Sequence, residues 1–504
     1  MMIEQTHLYN IESINAFIEE HFGKAINKRI IKTVDDTLFP VLLWKTGGEI
    51  PLKFMRFLFV GGVGYENFMP QIQSERNALF KMIEPKSGQI FASTVLQIIL
   101  DRGGFVKKNA ILFTPVARLG GIDIIQLLQQ LIIQKKRATL VPLLAINGTL
   151  NAAKALNEIP KHFKSKQGVV VLSCKKNFKL IAQILGMTPA QLEDEIIPDF
   201  GFTDLYYPYQ TLKGQAFRAF ISDDFKIRFL DENDKIRKSV PAQTPDELKN
   251  KFKVIAKEIR SLVKHQKQTL EQAMITERKW SKVDWEKHFL NKPLMFAFVQ
   301  TLVWATYDKS GKIIETFMVA QDKALENAEY DEVELTENIY LGILHPLHLS
   351  SDDIEAWSTY IIDNEIKTPF DQLHRKVYTV EETMFSNKWL NLYGGKTCSN
   401  IVGRGERRGW SRGEIGDAGA VLTYFKSFEK AGIDVHVVTE ELSIGLNYDC
   451  IFDELFFVKH GDQNASYYRS SYNKSEKDKF LIALSKIPKI IFSEVLADME
   501  FFIS

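Results

Sequence analysis

Two stretches of this chain hold residue types that could do chemistry. The first, running from Ile343 to Tyr378, sets Asp363, Glu365, Gln372 and Arg375 close together. Neighbouring carboxylates can divide acid and base roles, and an arginine beside them can clamp an anion through its planar fork. In the second, Arg404, Arg407, Arg408 and Arg412 crowd a glycine-rich run around Trp410. Backbone N–H groups and guanidiniums of such a run can bind phosphate, and the indole offers a stacking face. Read as one site, Asp363, Glu365 and Arg375 form a catalytic set. Gln372, Arg404, Arg407, Arg408, Trp410 and Arg412 form a binding set for a nucleotide or phosphorylated small molecule. Each half has a plainer alternative, and the plainer one carries more weight. The first stretch is then a buried ion-pair corner tying two helices to a sheet. The second is a solvated loop whose arginines pair with Glu406 and Glu414.

Other motifs fail on context. Gly409-Trp410-Ser411-Arg412-Gly413 has the form G-x-S-x-G, but no buried strand leads into it, as a nucleophile elbow requires. Gly394-Gly395-Lys396-Thr397 resembles the end of a phosphate loop, yet Leu390 stands where the first glycine should be. His345 and His348 supply two ligands where a metal site needs three, so no metal is expected, and no cofactor is implied.

The elements that must position these residues can be read from caps and periodicity. The first two hundred residues read as helices, among them 75–83, 89–100 and 121–137. The last of these is apolar on nearly every side and is expected to be central. Their spacing fits a HEAT-like repeat or an irregular bundle. Thr188-Pro189 with Gln191 opens a further helix that Pro198 stops, and strand-like alternation follows at 216–221 and 225–230. From Thr244-Pro245 a long helix runs to about Arg278, with an apolar seam at Phe252, Ile255, Ile259 and Leu262. Strands are expected at 301–306, 312–320 and 339–344. Helices are expected from Ser350 to Asn364, from Thr368, and from Thr379 to Gly394. Strands at 433–439, 451–459 and 466–470 and a helix at 476–487 follow. Ile490–Phe492 reads as a strand, with Ser493 capping a helix after it and Glu494 in its first turn. The fold class is α+β: a mostly helical layer over 1–205, then a mixed α+β domain with a long helix over 206–504.

Composition bounds the rest. The chain has 504 residues, 45% of them hydrophobic and 25% charged, which is ordinary for a globular protein. A net charge of +1 gives no field that attracts nucleic acid or an anionic membrane. Cys174, Cys398 and Cys450 are far apart and odd in number, which points to a reducing, cytoplasmic setting rather than a disulfide scaffold. No signal peptide or membrane span is evident.

From Leu185 onward the sequence resembles a bacterial family of molybdate-metabolism-regulator-like (MolR-like) proteins, whose shared region is catalogued as a domain of unknown function. The resemblance rests on L-G-M-T-P-A-Q-L-E-D-E-I-I-P-D-F-G at 185–201, K-S-V-P at 238–241 and Q-K-Q-T-L-E-Q-A-M-I-T-E-R-K-W at 266–280. It continues with L-V-W at 302–304, H-P-L-H-L at 345–349, Trp357 and D-N-E-I-K-T-P-F-D-Q-L-H-R-K-V-Y at 363–378. R-G-W at 408–410 and I-I-F-S-E-V-L-A-D-M-E-F-F at 490–502 complete it. The family brings no activity to carry over. Some relatives add a Trp-Gly-Arg-rich domain whose signature is absent here, so no nucleic-acid role is carried over either. The expected function is a non-catalytic regulatory or protein-interaction role with another protein as partner. The alternative is an enzyme or sensor for a nucleotide or phosphate ligand.

Overall fold

Helix starts are written into this sequence at several points and are used as written. The Thr188 hydroxyl accepts from the Gln191 N–H, the Ser281 hydroxyl from Asp284 and the Ser350 hydroxyl from Asp353. Each satisfies a backbone donor that the first turn would otherwise leave open. In the computed structural model, residues 9–22, 34–59, 64–66, 69–71, 74–102, 113–163, 168–378, 388–462, 465 and 480–504 are described. The chain divides into two units, Met1–Pro198 and Asp199–Ser504.

In the first unit the helices are α1 (Ile11–His21), α2 (Leu52–Phe57), α3 (Ser74–Met82), α4 (Pro85–Asp101) and α5 (Phe113–Leu119). They continue with α6 (Ile122–Lys135), α7 (Val141–Asn147), α8 (Leu150–Glu158), α9 (Val169–Ile184) and α10 (Pro189–Glu195). A short hairpin, β1 (Gly64–Glu66) with β2 (Met69–Gln71), joins them. One apolar core holds Phe91, Phe113, Leu128, Leu144, Leu156 and Ile181. The expected centrality of α6 is corrected. It buries only Ile124, Ile125, Leu128 and Ile132, and leaves Ile122 exposed. Among the described residues of the first unit, it is α7 that is buried at every residue, and its V-P-L-L-A-I-N carries no charge.

The second unit is α+β, with three antiparallel sheets among the described residues. A meander of β3 (Tyr207–Gln210), β4 (Ala216–Ile221), β5 (Ile227–Leu230) and β6 (Ile236–Arg237) comes first. The long helix α11 (Asp246–Ile275) sets Phe252 against Tyr207, Tyr209 and Phe229, ring centroids 5.4–5.6 Å apart. Its apolar seam is thus covered within its own unit.

A five-stranded sheet follows in the order β10-β9-β8-β11-β7, from β7 (Lys279–Ser281), β8 (Trp304–Tyr307), β9 (Ile313–Val319), β10 (Leu325–Glu326) and β11 (Tyr340–Ile343). Around it lie α12 (Lys282–Trp285), α13 (Pro293–Val299) and α14 (Ser351–Asp363), with Trp280, Trp285, Phe289 and Trp304 packed edge to face.

The third sheet has the order β12-β17-β16-β15-β14, with β13 also pairing β17. Its strands are β12 (Trp389–Leu390), β13 (Thr397–Cys398), β14 (Trp410–Arg412), β15 (Thr423–Phe428), β16 (Ile433–Glu440) and β17 (Cys450–Lys459). The helices α15 (Ile401–Arg407) and α16 (Lys489–Ile503) complete the unit.

Five expectations change here. Ile490–Phe492 is not a strand: the whole terminal run forms α16, buried at ten of its 15 residues. A short apolar run does not separate strand from buried helix by period alone. The glycine-rich run at 404–412 is not a loop but the end of α15 and strand β14. A Cβ at Gly405 would lie 2.6 Å from the Tyr424 ring, so glycine there serves close packing rather than flexibility. The chain after Thr368 bends without forming a helix. Where a helix from Thr379 was expected, Trp389–Leu390 is a strand, and 379–387 lie outside the described residues, as do 466–470 and 476–479. The described part of the helix expected at 476–487 is not α-helical: over 480–487 only the 3-10 turn Leu484–Lys486 is helical.

Candidate functional site

The geometry of the second unit's charged residues is organised by α16. Ser493, Glu494 and Asp498 are its buried polar residues, set among apolar side chains. Glu494 and Asp498 are four apart, so they share one face. A carboxylate without water must be paired or neutralised, and each of these is paired.

Glu494 accepts a 2.6 Å bond from Arg375 and lies 3.3 Å from Nε2 of His345. The second guanidinium nitrogen of Arg375 bonds to Glu271 on α11, and its Nε–H donates to the Asp371 carbonyl at 2.9 Å. His345 accepts the Leu347 N–H at Nδ1, 3.1 Å. Its proton therefore sits on Nε2 and points to Glu494. Burial is the largest influence on His345 and pushes its pKa down, against the opposing pull of Glu494, so the ring is neutral. Burial would raise Glu494, but the His345 hydrogen bond and the Arg375 charge outweigh it and hold the carboxyl below its ordinary range. Arg375 is held above its ordinary value: the charges of Glu494 and Glu271 overcome the opposing effect of burial. Ser493 Oγ accepts the Tyr378 N–H at 2.9 Å, so it fastens the chain after Arg375 instead of capping a helix.

One turn on, Asp498 takes three donors: Arg408 at 3.0 Å, the Trp410 indole at 2.8 Å and Lys426 Nζ at 2.7 Å. Arg404 donates to the Phe502 carbonyl at 2.6 Å. Its guanidinium and that of Arg408 lie over the Phe501 ring at 5.3 and 4.2 Å. A cation at the last carbonyls favours the helix dipole.

The expected site residues fall into three groups. Arg375, Arg404, Arg408 and Trp410 converge on α16, on partners that the sequence reading did not assign to them. Trp410 is buried, with an edge-on contact to Phe502 at 5.5 Å, so its face is not open for stacking. Gln372 is a clamp between strands: its amide donates to the carbonyls of Val303 and Leu344 and accepts the Val303 N–H, at 2.7–3.0 Å. The remaining residues, Asp363, Glu365, Arg407 and Arg412, are exposed.

Asp363 ends α14, and Glu365 follows the cap with φ of 52°. The Glu365 and Ile366 N–H groups bond to the carbonyls of Ile362 and Ile361 at 3.0 and 2.9 Å, the paired bonds of a Schellman stop. Arg375 does not form a fork with either carboxylate. A cavity of about 370 Å³ against Gln215, Asp231, Arg237 and Gln243 includes none of these residues.

Residues 235–410 match a family model described as Domain of unknown function (DUF4132). The chain is also 24% identical over 274 residues to "Uncharacterized protein YehI" of Escherichia coli (strain K12), a match covering 51% of this chain and 23% of the relative. The chain thus spans under a quarter of that relative's length. No solved structure matches. The matched family region holds Glu271, His345, Arg375, Arg408 and Trp410, whereas Lys426, Glu494 and Asp498 lie beyond it.

Glu271, Lys426, Glu494 and Asp498 are the partners sequence reasoning missed. One signal was available. A mostly apolar fifteen-residue run with carboxylates at Glu494 and Asp498, i and i+4 on the buried side, demands cationic partners for both if it is a helix. Among the described residues, no helix is long and apolar enough to cross a membrane.

Proposed function

We propose that this chain is a non-catalytic regulatory protein whose partner is another protein. The observation that carries the reading is the internal pairing of three of the five arginines that would have bound an anion, Arg407 and Arg412 being exposed. Arg375 is held by Glu271 and Glu494, Arg408 by Asp498, and Arg404 by the end of α16. A guanidinium fork already occupied by two carboxylates has no free edge for phosphate. Exposed apolar side chains at Val169 and Leu172, one turn apart on α9, support a protein partner. The helical first unit, read as a HEAT-like or bundle platform, fits the same role. The resemblance to the molybdate-metabolism-regulator-like proteins supports the regulatory part of the proposal.

The test is a thermal-shift panel of nucleoside mono-, di- and triphosphates, dinucleotides and inorganic phosphate on the full chain. The proposal expects no stabilisation at millimolar ligand. Stabilisation that grows with ligand concentration as a specific site requires, and that a folded Arg375→Lys variant loses, would establish the ligand-binding alternative.

A further inference from the structure

Cys398 and Cys450 are distant in the sequence, but β13 and β17 set them directly opposite each other in antiparallel register. Opposed residues of such a pair point to the same face, with Cβ atoms about 4.5–5.5 Å apart. A disulfide needs about 3.5–4.5 Å between Cβ atoms and 4.4–6.8 Å between Cα atoms, so a small adjustment closes the bond. Both thiols are buried and free.

The two sulfurs are not equivalent. The Cys398 thiol is held below its ordinary pKa, first by a hydrogen bond with Cys450 and then, against burial, by Arg404. Cys450 is pushed well up by the same hydrogen bond and by burial. Ionisation is thus favoured at Cys398 over Cys450. That division suits attack by the first and resolution by the second. Two structural thiols filling a core would need neither the opposed register nor a guanidinium beside one of them. Access comes through β13 itself. It is two residues long, pairs with β17 alone among the described residues, and follows a turn with an exposed Leu392. Short one-sided strands open locally at low cost.

We propose that Cys398 and Cys450 form a reversible redox couple that closes to a disulfide when a hydroperoxide oxidises it. The Cys398 thiolate attacks the O–O bond of hydrogen peroxide. An S–O bond forms, and the departing hydroxide takes a proton to leave as water. The Cys450 sulfur then attacks the Cys398 sulfenic acid. The S–S bond forms, the S–O bond breaks, and the hydroxide leaves as water with the Cys450 proton. Two thiols and one peroxide give one disulfide and two waters. A dithiol reverses this by exchange and is itself oxidised. Closure removes the ionisable Cys398 sulfur that Arg404 acts on, and Arg404 also holds the Phe502 carbonyl at the end of α16.

The experiment uses the full reduced chain. It is treated with a modest excess of hydrogen peroxide, quenched with catalase, unfolded in denaturant with iodoacetamide and read by intact mass and peptide mapping. Alkylated cysteines should fall from the three free thiols to one, Cys174. A peptide should link Cys398 to Cys450, and dithiothreitol given before alkylation should restore all three. Three alkylated cysteines after peroxide would overturn the proposal. So would a link between chains, or sulfinic acid without an internal link. In Cys450→Ser, dimedone should trap a sulfenic acid at Cys398. An adduct at Cys174 alone would overturn the assignment of the nucleophile.

Discussion

Arg375→Ala should destabilise the second unit by about 3–5 kcal/mol, the usual cost of leaving a buried charge without its partner. The size follows from what remains. Glu494 keeps only neutral His345, with a side chain 9% exposed, and Glu271 loses the same guanidinium. An exposed pair would be worth at most about 1 kcal/mol. The two cases are therefore well separated.

Urea unfolding followed by tryptophan fluorescence suits the measurement. Trp280, Trp285, Trp304, Trp357, Trp389 and Trp410 are in the second unit and only Trp44 is in the first. At roughly 2 °C per kcal/mol for a unit of this size, the thermal midpoint should fall by about 6–10 °C. Arg375→Met/Glu494→Met should cost clearly less than the sum of the single changes, because it removes the uncompensated charge along with its partner. A loss below about 1 kcal/mol for Arg375→Ala, or strict additivity in the pair, would refute the reasoning.

Two further predictions concern residues away from α16. His436 is stacked between Phe425 and Phe456, at 5.1 and 5.3 Å, and burial pushes its pKa down to about 4. The unfolded ring titrates near 6.5, so its neutral burial contributes fully above that pH. The contribution declines as pH falls toward 4, by about 2 kcal/mol at pH 5. His436→Phe should flatten that part of the stability–pH curve, as read by urea midpoints between pH 7 and 4.5. An unchanged slope would contradict it. Glu365 sits in the left-handed region at the Schellman stop, so Glu365→Gly should stabilise the unit by about 0.5–1 kcal/mol in the same assay. A loss would mean that its carboxylate has a partner.

The parts of the fold that were legible in the sequence are those with local signals. Thr188, Ser281 and Ser350 announce their helices because a hydroxyl before an open N–H is a chemical necessity of the first turn. The stripe of α11 is legible because Phe252, Ile255, Ile259 and Leu262 repeat at helical spacing and are buried. What stayed hidden is non-local. The partners of Arg375 come from α11 and α16, more than a hundred residues away on either side. No spacing rule links them, and proximity in the sequence pointed instead to Asp363 and Glu365. The α16 run misleads for a related reason. A helix buried on most sides loses the one-sided period that identifies a helix, so Ile490–Phe492 reads as strand. At 404–412, glycine suggested a loop where it serves close approach to Tyr424.

Arginine-specific dicarbonyl labelling of the folded chain, mapped by mass spectrometry over time, most directly tests whether these cations are available to an anionic ligand. Arg375, 13% exposed and bonded to two carboxylates, should resist labelling until the second unit unfolds. Exposed Arg407 and Arg412 should react at once. Labelling of Arg375 as fast as Arg412 in the folded protein would contradict the account and return Arg375 to the list of open anion-binding groups.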